Sequence, residues 1–360
     1  MQNAKITIIQ PFIPNYREDF YKKLSFEMPF DLLTVEKPLS NLSFKLSKKV
    51  KSKNIKILKL GSIIIFNPFN YYIIKNKTIV IQWNPKWFSL FILLIVKPVL
   101  KKKIILWTHG VSVRNGFSYD RIKDKIKLFF FNLSDGLLFY TENELNIMSP
   151  FLKKPKLYFL NNSINIDKIF KKVSLLDIGK DKIKKKYNIS ASRIIIYCAR
   201  FIQDRRSDLL IELIEKMRND DVIFLIIGDG PFKPEFSHYT HVKDYGAMYD
   251  EEKKAELFSI SDFTFQPAWS GLSVVESFAH GVPYITLEKS KDILQCVEYN
   301  YIVHGSNGFI LKDLNSVQAK VTNLPKSKIN EMKKNCTEYV KSNLSLNQMV
   351  NKFVHAVKSL

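Results

Sequence analysis

The sequence predicts an α/β protein made of two doubly wound parallel-sheet domains, and three observations carry that expectation. Short, continuous apolar or β-branched runs alternate with helical patterns along the chain. The alternation restarts after about residue 190. At 360 residues the chain is also long for a single hydrophobic core.

The first series of strands is KITIIQ (5–10), FDLLTV (30–35), TIVIQW (78–83), KIILWTH (103–109), GLLFYT (136–141) and KLYFLNN (156–162). A lysine-rich, glycine-poor stretch at about 171–190 separates it from the second. That series is RIIIYCA (193–199), VIFLIIGDG (222–230), DFTFQP (262–267) and VPYIT (282–286). Residues 327–341 and 345–358 read as helices. The expected division is 1–172 for the first domain and 173–342 for the second. Residues 343–360 are expected to form a terminal helix that packs back on the first domain.

Composition bounds the function. Apolar residues make up 46% and charged residues 25%, as in a soluble globular protein. Cys198, Cys296 and Cys336 are odd in number, far apart and in no metal-ligand spacing, which points to a reducing compartment without a disulfide framework. MQNAKITIIQPFIP reads as a first strand rather than a leader. WFSLFILLIV (87–96) is the most apolar run, and Lys97-Pro98 stops it short of a bilayer span. It reads as a buried helix, with membrane contact kept open by Lys101–Lys103. The net charge of +22 is uneven: residues 1–172 carry 30 Lys+Arg against 11 Asp+Glu, and residues 173–360 carry 26 against 23. A basic first half suits an anionic membrane, an anionic lipid-linked substrate or nucleic acid, and such a partner is expected ahead of the bland alternative, lysine-rich background usage. No nucleic-acid reading motif is present, and the aromatic residues do not interleave with the lysines, so nucleic acid is not expected as a partner.

In open parallel sheets ligands sit beyond the carboxyl ends of the strands. After RIIIYCA come Arg200 and Arg205-Arg206, whose guanidinium groups suit a diphosphate, or else surface ion pairs with Asp204 or Asp208. Gly228-Asp-Gly-Pro is a turn that can border a nucleotide. In QPAWSGLSVVESFAHGVPYIT (266–286), Gly271 allows close backbone approach, and the helix opening at Leu272–Ser273 offers unpaired N–H groups to an anion. Glu276, one turn in, is itself negative and suits a pair of hydroxyls such as a ribose presents, or is simply solvated. Gly281 and Pro283 stop the helix. In the first half, His109 follows a strand, Tyr16 and Arg17 follow the first strand's loop, and Glu142 and Glu144 open a helix, where an acid is also favoured by the helix dipole. No Asp-x-Asp pair occurs and no GxGxxG, so neither a diphosphate-bound metal ion nor a nicotinamide cofactor is expected.

The stretch Ala268-Trp-Ser-Gly271-Leu272-Ser273-Val-Val-Glu276-Ser-Phe-Ala-His-Gly281-Val-Pro283 resembles the donor-site motif of family 4 retaining glycosyltransferases of the GT-B fold, E-G-F-G-L-x-x-x-E-A-M-A-x-G-x-P. Ala199-Arg200-Phe201…Arg205 is similar to that family's G-R-L-x-x-x-K, and Gly228-Asp-Gly-Pro231 to its G-x-G-P. Asp244-Tyr-Gly246, Asp262 and Asn307-Gly308-Phe309 follow in order. PFIPNYREDFYKKL (11–24), LWTHG (106–110), YTENE (140–144) and NNSIN (161–165) resemble the amino-terminal domain of bacterial envelope-polysaccharide members. The resemblance implies two facing Rossmann-like domains with a cleft between them. It implies a hexosyltransferase-type enzyme moving a sugar from a nucleotide sugar to a glycan or polyprenyl-diphosphate-linked acceptor, without a metal. Arg200, Arg205, Gly228, Gly271, Leu272, Ser273 and Glu276 would hold the donor. His109 and Glu276 would serve catalysis, and Tyr16, Arg17 and Glu142 the acceptor. The first acid of the motif falls on Ala268, which leaves open altered sugar choice or a catalytically silent nucleotide-binding protein in an envelope glycan complex. The expected location is the cytoplasm, peripheral on the inner face of the plasma membrane.

Overall fold

The computed structural model describes residues 6–35, 50–176 and 179–360. Lys5 of the first predicted strand, and residues 177–178 of the expected linker, lie outside these. The chain divides into two compact units, Met1–Ile164 with Leu346–Leu360, and Asn165–Ser345.

In the first unit the strands are β1 (Ile6–Gln10), β2 (Phe30–Thr34), β3 (Lys53–Asn54), β4 (Ile57–Leu60), β5 (Ile63–Phe66), β6 (Thr78–Gln82), β7 (Lys103–Thr108), β8 (Gly136–Phe139) and β9 (Lys156–Phe159). Seven of them form one parallel sheet in the order β3-β2-β1-β6-β7-β8-β9. β4 and β5 make a separate antiparallel hairpin. Helices cover the sheet, so the central strands read as unbroken apolar runs rather than alternating ones.

The second unit adds β10 (Arg193–Cys198), β11 (Val222–Ile227), β12 (Val242–Asp244), β13 (Phe263–Phe265), β14 (Tyr284–Leu287) and β15 (Gly308–Leu311), parallel in the order β12-β11-β10-β13-β14-β15. Alternate residues of one strand feed opposite cores. Ile195 and Tyr197 pack with Leu210, Leu213 and Val317 of helices Ser207–Lys216 and Leu314–Asn323. Ile194 and Ile196 pack with Leu257 and Ile260 of helix Glu251–Ile260. Each unit is therefore a doubly wound α/β domain.

The first boundary falls at Ile164 rather than at 172. Helix Ile166–Ser174 packs on helices Glu251–Ile260 and Leu272–Ala279, and so belongs to the second unit. Helix Lys326–Asn343 extends that unit to Ser345. Helix Leu346–Lys358 joins the first unit: Phe353 meets Phe20 edge-on at 5.6 Å, and Lys23 Nζ donates to Asn347 Oδ1 at 2.6 Å. WFSLFILLIV forms helix Phe88–Val96, with Leu90, Leu93 and Leu94 buried but Ile95 62% exposed, so it is only half a core helix. Among the described residues no helix is long and apolar enough to cross a membrane.

Candidate functional site

In the second sheet the strand order reverses between β10 and β13, the position where a doubly wound sheet opens a crevice at its carboxyl edge. Arg200 and Arg205 lie on the loop that leaves β10. The glycine turn at 271 lies on the loop that leaves β13.

The two arginines that follow Asp204 have separate fates. Arg206, at φ +52°, spends its charge on Asp208, Nη2 to Oδ2 at 2.6 Å and Nε to Oδ1 at 2.9 Å, and Nη1 donates to Asp292 O at 3.0 Å. Arg205 has buried Nε and Nη1 groups without a hydrogen-bond partner. The Tyr197 hydroxyl is buried beside it, and the guanidinium partly offsets the upward push that burial gives the phenol. A buried guanidinium with open donors costs free energy unless an anion arrives to meet it. Arg200 is half-buried.

The loop after β11 supports this one by backbone contact. Gly228 and Gly230 both have φ +152°; an added Cβ would lie 2.0 Å from Ala199 O at Gly228 and 2.2 Å from Phe201 O at Gly230. Phe201 N donates to Asp229 O at 3.0 Å, which locks the two loops together. The glycine at 228 is thus required by the close approach of the loop carrying Arg200. Gly230→Ala is expected to destabilise the unit by roughly 2–4 kcal/mol, read as a lower denaturation midpoint, because backbone rather than a flexible side chain must give way.

Gln266, at the end of β13, shapes the next loop: its Nε2 donates to Ala268 O at 2.9 Å and Trp269 O at 2.8 Å. Gln295 does the same from outside, accepting from Ser270 N at 2.9 Å and donating to Leu287 O at 2.9 Å. Trp269 is held at φ +56° within this frame. Ala268 is fully buried. An acid at that position would have to enter a packed interior.

Helix Leu272–Ala279 opens at Gly271 without a side-chain cap, which leaves its first N–H groups for a ligand. The Ser273 hydroxyl is already engaged, donating to Gln266 Oε1 at 3.1 Å and lying 2.9 Å from the Tyr284 hydroxyl. Val274, Val275 and Phe278 anchor the helix. Gly281, at φ +69°, closes it as N–H donor to Phe278 O.

Glu276 is 21% exposed, and Lys254 Nζ of helix Glu251–Ile260 lies 2.8 Å from its Oε1. Burial pushes the Glu276 carboxyl up, but the Lys254 ammonium outweighs it, with His280 and Arg205 adding, and the net direction is downward. Burial works against the Lys254 ammonium too, yet Glu276 holds its pKa above the usual lysine value. The pair therefore stabilises the fold between the ordinary glutamate and lysine ranges. That stability is lost as pH falls through the depressed Glu276 value, or rises through the elevated Lys254 value. His280 stacks on Phe258 at 4.3 Å, and burial depresses its pKa to about 4, so it is neutral beside the pair.

In the first unit the reversal lies between β1 and β6. A cavity of about 230 Å³ opens over β6, β7 and β8, lined by Gln82, Trp107, His109, Gly110, Lys127 and Tyr140 among others. His109 is 46% exposed; its Nδ1 lies 3.1 Å from Glu144 Oε1, and its ring stacks on Tyr140 at 3.9 Å. Glu144, 2% exposed, is also the N3 acid of a capping box with Thr141. Trp107 Nε1 is buried without a hydrogen-bond partner. Arg17 is 6% exposed: it bonds Asn162 Oδ1 and sits 5.5 Å from the Trp107 ring and 5.9 Å from the Tyr140 ring. It braces these rings rather than standing open. Tyr16 is half-buried beside it, and Glu142 is exposed in the first helical turn.

The sequence did not single out Lys254, the Gln266–Gln295 frame, or the Glu144–His109 contact. The last had a signal, since T-E-N-E is a capping-box pattern that fixes the second glutamate against the strand end. Among the described residues no group of three His, Cys, Asp or Glu is placed to hold a metal ion.

Residues 179–343, nearly all of the second unit, match the family model described as Glycosyl transferases group 1. No curated protein matches the chain in sequence. Over the whole chain the fold is similar to that of a glycosyltransferase from Rickettsia africae ESF-5, at 15% identity and TM-score 0.68, covering 100% of this chain and 99% of that one. It is similar to Anabaena Alr3699/HepE in complex with UDP, at 13% identity and TM-score 0.62, covering 99% and 100%. It is also similar to the pneumococcal O-GlcNAc transferase GtfA in complex with UDP and GlcNAc, at 10% identity and TM-score 0.63, covering 100% and 99%. The fold is that of the two-domain GT-B proteins.

Proposed function

We propose that the chain is a retaining, family 4 glycosyltransferase that moves a hexose from a nucleotide sugar to a glycan or polyprenyl-diphosphate-linked acceptor in cell-envelope polysaccharide synthesis. One observation carries the reading: half-buried Arg205, whose Nε and Nη1 donors are buried without a hydrogen-bond acceptor, lies at the same strand edge as an uncapped helix start and an ionised Glu276. That set answers the three parts of a nucleotide donor. Arg205 and Arg200 hold the diphosphate, the N–H groups from Gly271 to Ser273 add the helix dipole, and Glu276 takes the ribose hydroxyls. The match of residues 179–343 supports glycosyl transfer, and the UDP bound by HepE and GtfA favours a uridine nucleotide.

In the reaction the bond between the sugar C1 and the diphosphate oxygen breaks, and an acceptor oxygen bonds to C1 on the same face. The acceptor proton passes to the leaving diphosphate. The guanidinium groups stabilise the negative charge that develops on the leaving group, without a metal. The first unit takes the acceptor. There His109, oriented by Glu144 and the Tyr140 ring, serves catalysis, and Tyr16, Glu142 and the braced aromatic wall of Arg17 receive the acceptor. The enzyme works in the cytoplasm at the inner membrane face.

Turnover tests this reading: incubation with a panel of nucleotide sugars and a polyprenyl-linked glycan should release nucleoside diphosphate and give an axial or equatorial linkage matching the donor. His109→Ala should lower kcat by about 10²-fold with little change in donor affinity, and Glu144→Gln should lower it less. An unaltered kcat in His109→Ala removes the residue from the reaction. Ala268 favours a second reading, a catalytically silent nucleotide-binding partner; diphosphate binding without turnover of any sugar would select it.

A further inference from the structure

We propose that the first unit docks on an anionic bilayer through the outward faces of helices Phe88–Val96 and Ile122–Leu133. The inference deepens the peripheral-membrane part of the proposed function and rests on that reading for its setting.

On helix Ile122–Leu133, Ile122, Ile126 and Phe129 recur at i, i+4 and i+7 and are 74%, 53% and 59% exposed, while Leu128 and Phe131 on the other face are buried. Helix Phe88–Val96 carries no charge at all, and its outward side is as apolar as its inward one: Phe88, Ile95 and, just beyond, Val99 are 48%, 62% and 84% exposed. The two helices are neighbours. Phe91 of one meets Phe130 of the other at 4.4 Å, so the two apolar stripes form one ridge. A soluble surface ordinarily breaks up such a patch with charge, and a contiguous one marks an interaction site.

Charge selects the occupant. Residues 37–119 contain 16 Lys+Arg and no Asp or Glu, and this run includes the whole of helix Phe88–Val96. Lys123 and Lys125 flank Ile122 and Ile126 on the second helix. Behind the carboxyl ends of both helices a cavity of about 500 Å³ is lined by four lysines and one acid: Lys97 and Lys103 pair with Asp135, and Lys154 and Lys156 leave the rim net positive. An apolar ridge rimmed by ammonium groups suits acyl chains beneath anionic headgroups. A nucleic acid would gain nothing from the ridge, and a neutral apolar partner nothing from the lysines.

The test is co-sedimentation of the full chain with vesicles of phosphatidylcholine, with and without phosphatidylglycerol. Binding is expected to the anionic vesicles and to weaken as salt rises. The Ile126→Glu/Phe129→Glu variant should bind them at least about tenfold more weakly, while its thermal midpoint and its affinity for UDP stay unchanged. Lys123→Glu/Lys125→Glu should reduce binding to anionic vesicles alone. Indifference of the wild type to phosphatidylglycerol, or vesicle binding untouched by Ile126→Glu/Phe129→Glu, overturns the proposal. So does a dimer in sedimentation velocity that Ile126→Glu/Phe129→Glu dissolves while the wild type ignores vesicles, since the ridge would then belong to a second copy. Vesicle binding retained in a chain that binds no UDP supports the docking face and counts against the donor site instead.

Discussion

Arg205→Ala is expected to weaken nucleoside diphosphate binding by roughly 100- to 10,000-fold, because two charge-assisted hydrogen bonds at about 1.5–3 kcal/mol each are lost together. The same variant should leave thermal stability unchanged or slightly raised. In the unliganded fold Arg205 Nε and Nη1 are buried without an acceptor, so removing them relieves a cost that offsets the loss of the contact with the Tyr197 hydroxyl. That divergence between affinity and stability separates a ligand-binding arginine from a structural one. Arg206→Ala provides the contrast. Its guanidinium is committed to Asp208 and to Asp292 O, so diphosphate affinity should change little. Calorimetric titration of both variants, with a melting curve for each, measures the difference. Equal losses of affinity in the two would remove Arg205 from its special place.

The second large effect falls on Glu276. Glu276→Gln is expected to cost donor affinity about 10- to 100-fold, since an amide keeps the shape but loses the charge that binds ribose hydroxyls most strongly. Glu276→Ala should go further and also lower the melting temperature, because Lys254, only 12% exposed, loses its inner partner and keeps only the more exposed Glu251 at 3.0 Å. Lys254 gives the site a pH signature. The ammonium holds the Glu276 carboxyl below its ordinary value, so donor binding should persist as pH falls through the usual glutamate range. In Lys254→Met the carboxyl loses that support against burial and its pKa rises. The acid limb of donor binding should therefore move to higher pH. An identical acid limb in wild type and Lys254→Met would show that the pair does not govern the site.

Much of this architecture can be read directly from the residues. The central strands are continuous apolar runs because both faces of each sheet are covered, and such runs are visible without any neighbour information. One edge strand of each sheet is not: Lys53–Asn54 and Val242–Asp244 are short and polar, and only pairing to β2 and β11 makes them strands. The domain boundary was misplaced because helix Ile166–Ser174 packs on helices about 80 and 100 residues away, a contact that local pattern does not carry.

The site divides in the same way. Arg205, Gly271 and Glu276 lie within or beside spaced motifs, so the residues themselves point to them. Between Arg205 and Arg206 the residues offered no choice; the left-handed backbone at Arg206 turns that side chain to Asp208 and leaves Arg205 inward. Lys254 reads as one more helical lysine until the fold sets its helix against Glu276. Arg17 was expected to meet a ligand because it follows β1, but its burial against Trp107, Tyr140 and Asn162 makes it a brace for the aromatic wall. Ala268 raised the question of what replaces an acid; its complete burial moves that question to the Gln266–Gln295 frame, which holds the loop's backbone in the acid's absence.

The central claim is that the carboxyl edge of the second sheet binds a nucleoside diphosphate through Arg205 and Glu276. Its most direct test is a melting-temperature titration of the full chain with uridine, guanosine, adenosine and cytidine diphosphates. At about 100 times the dissociation constant a ligand adds about 2.7 kcal/mol of stability, a shift of several degrees. A saturable rise is expected with one of the four, uridine diphosphate first, that disappears in Arg205→Ala/Glu276→Gln. No shift with any of them, or a shift that survives in the double variant, would contradict it.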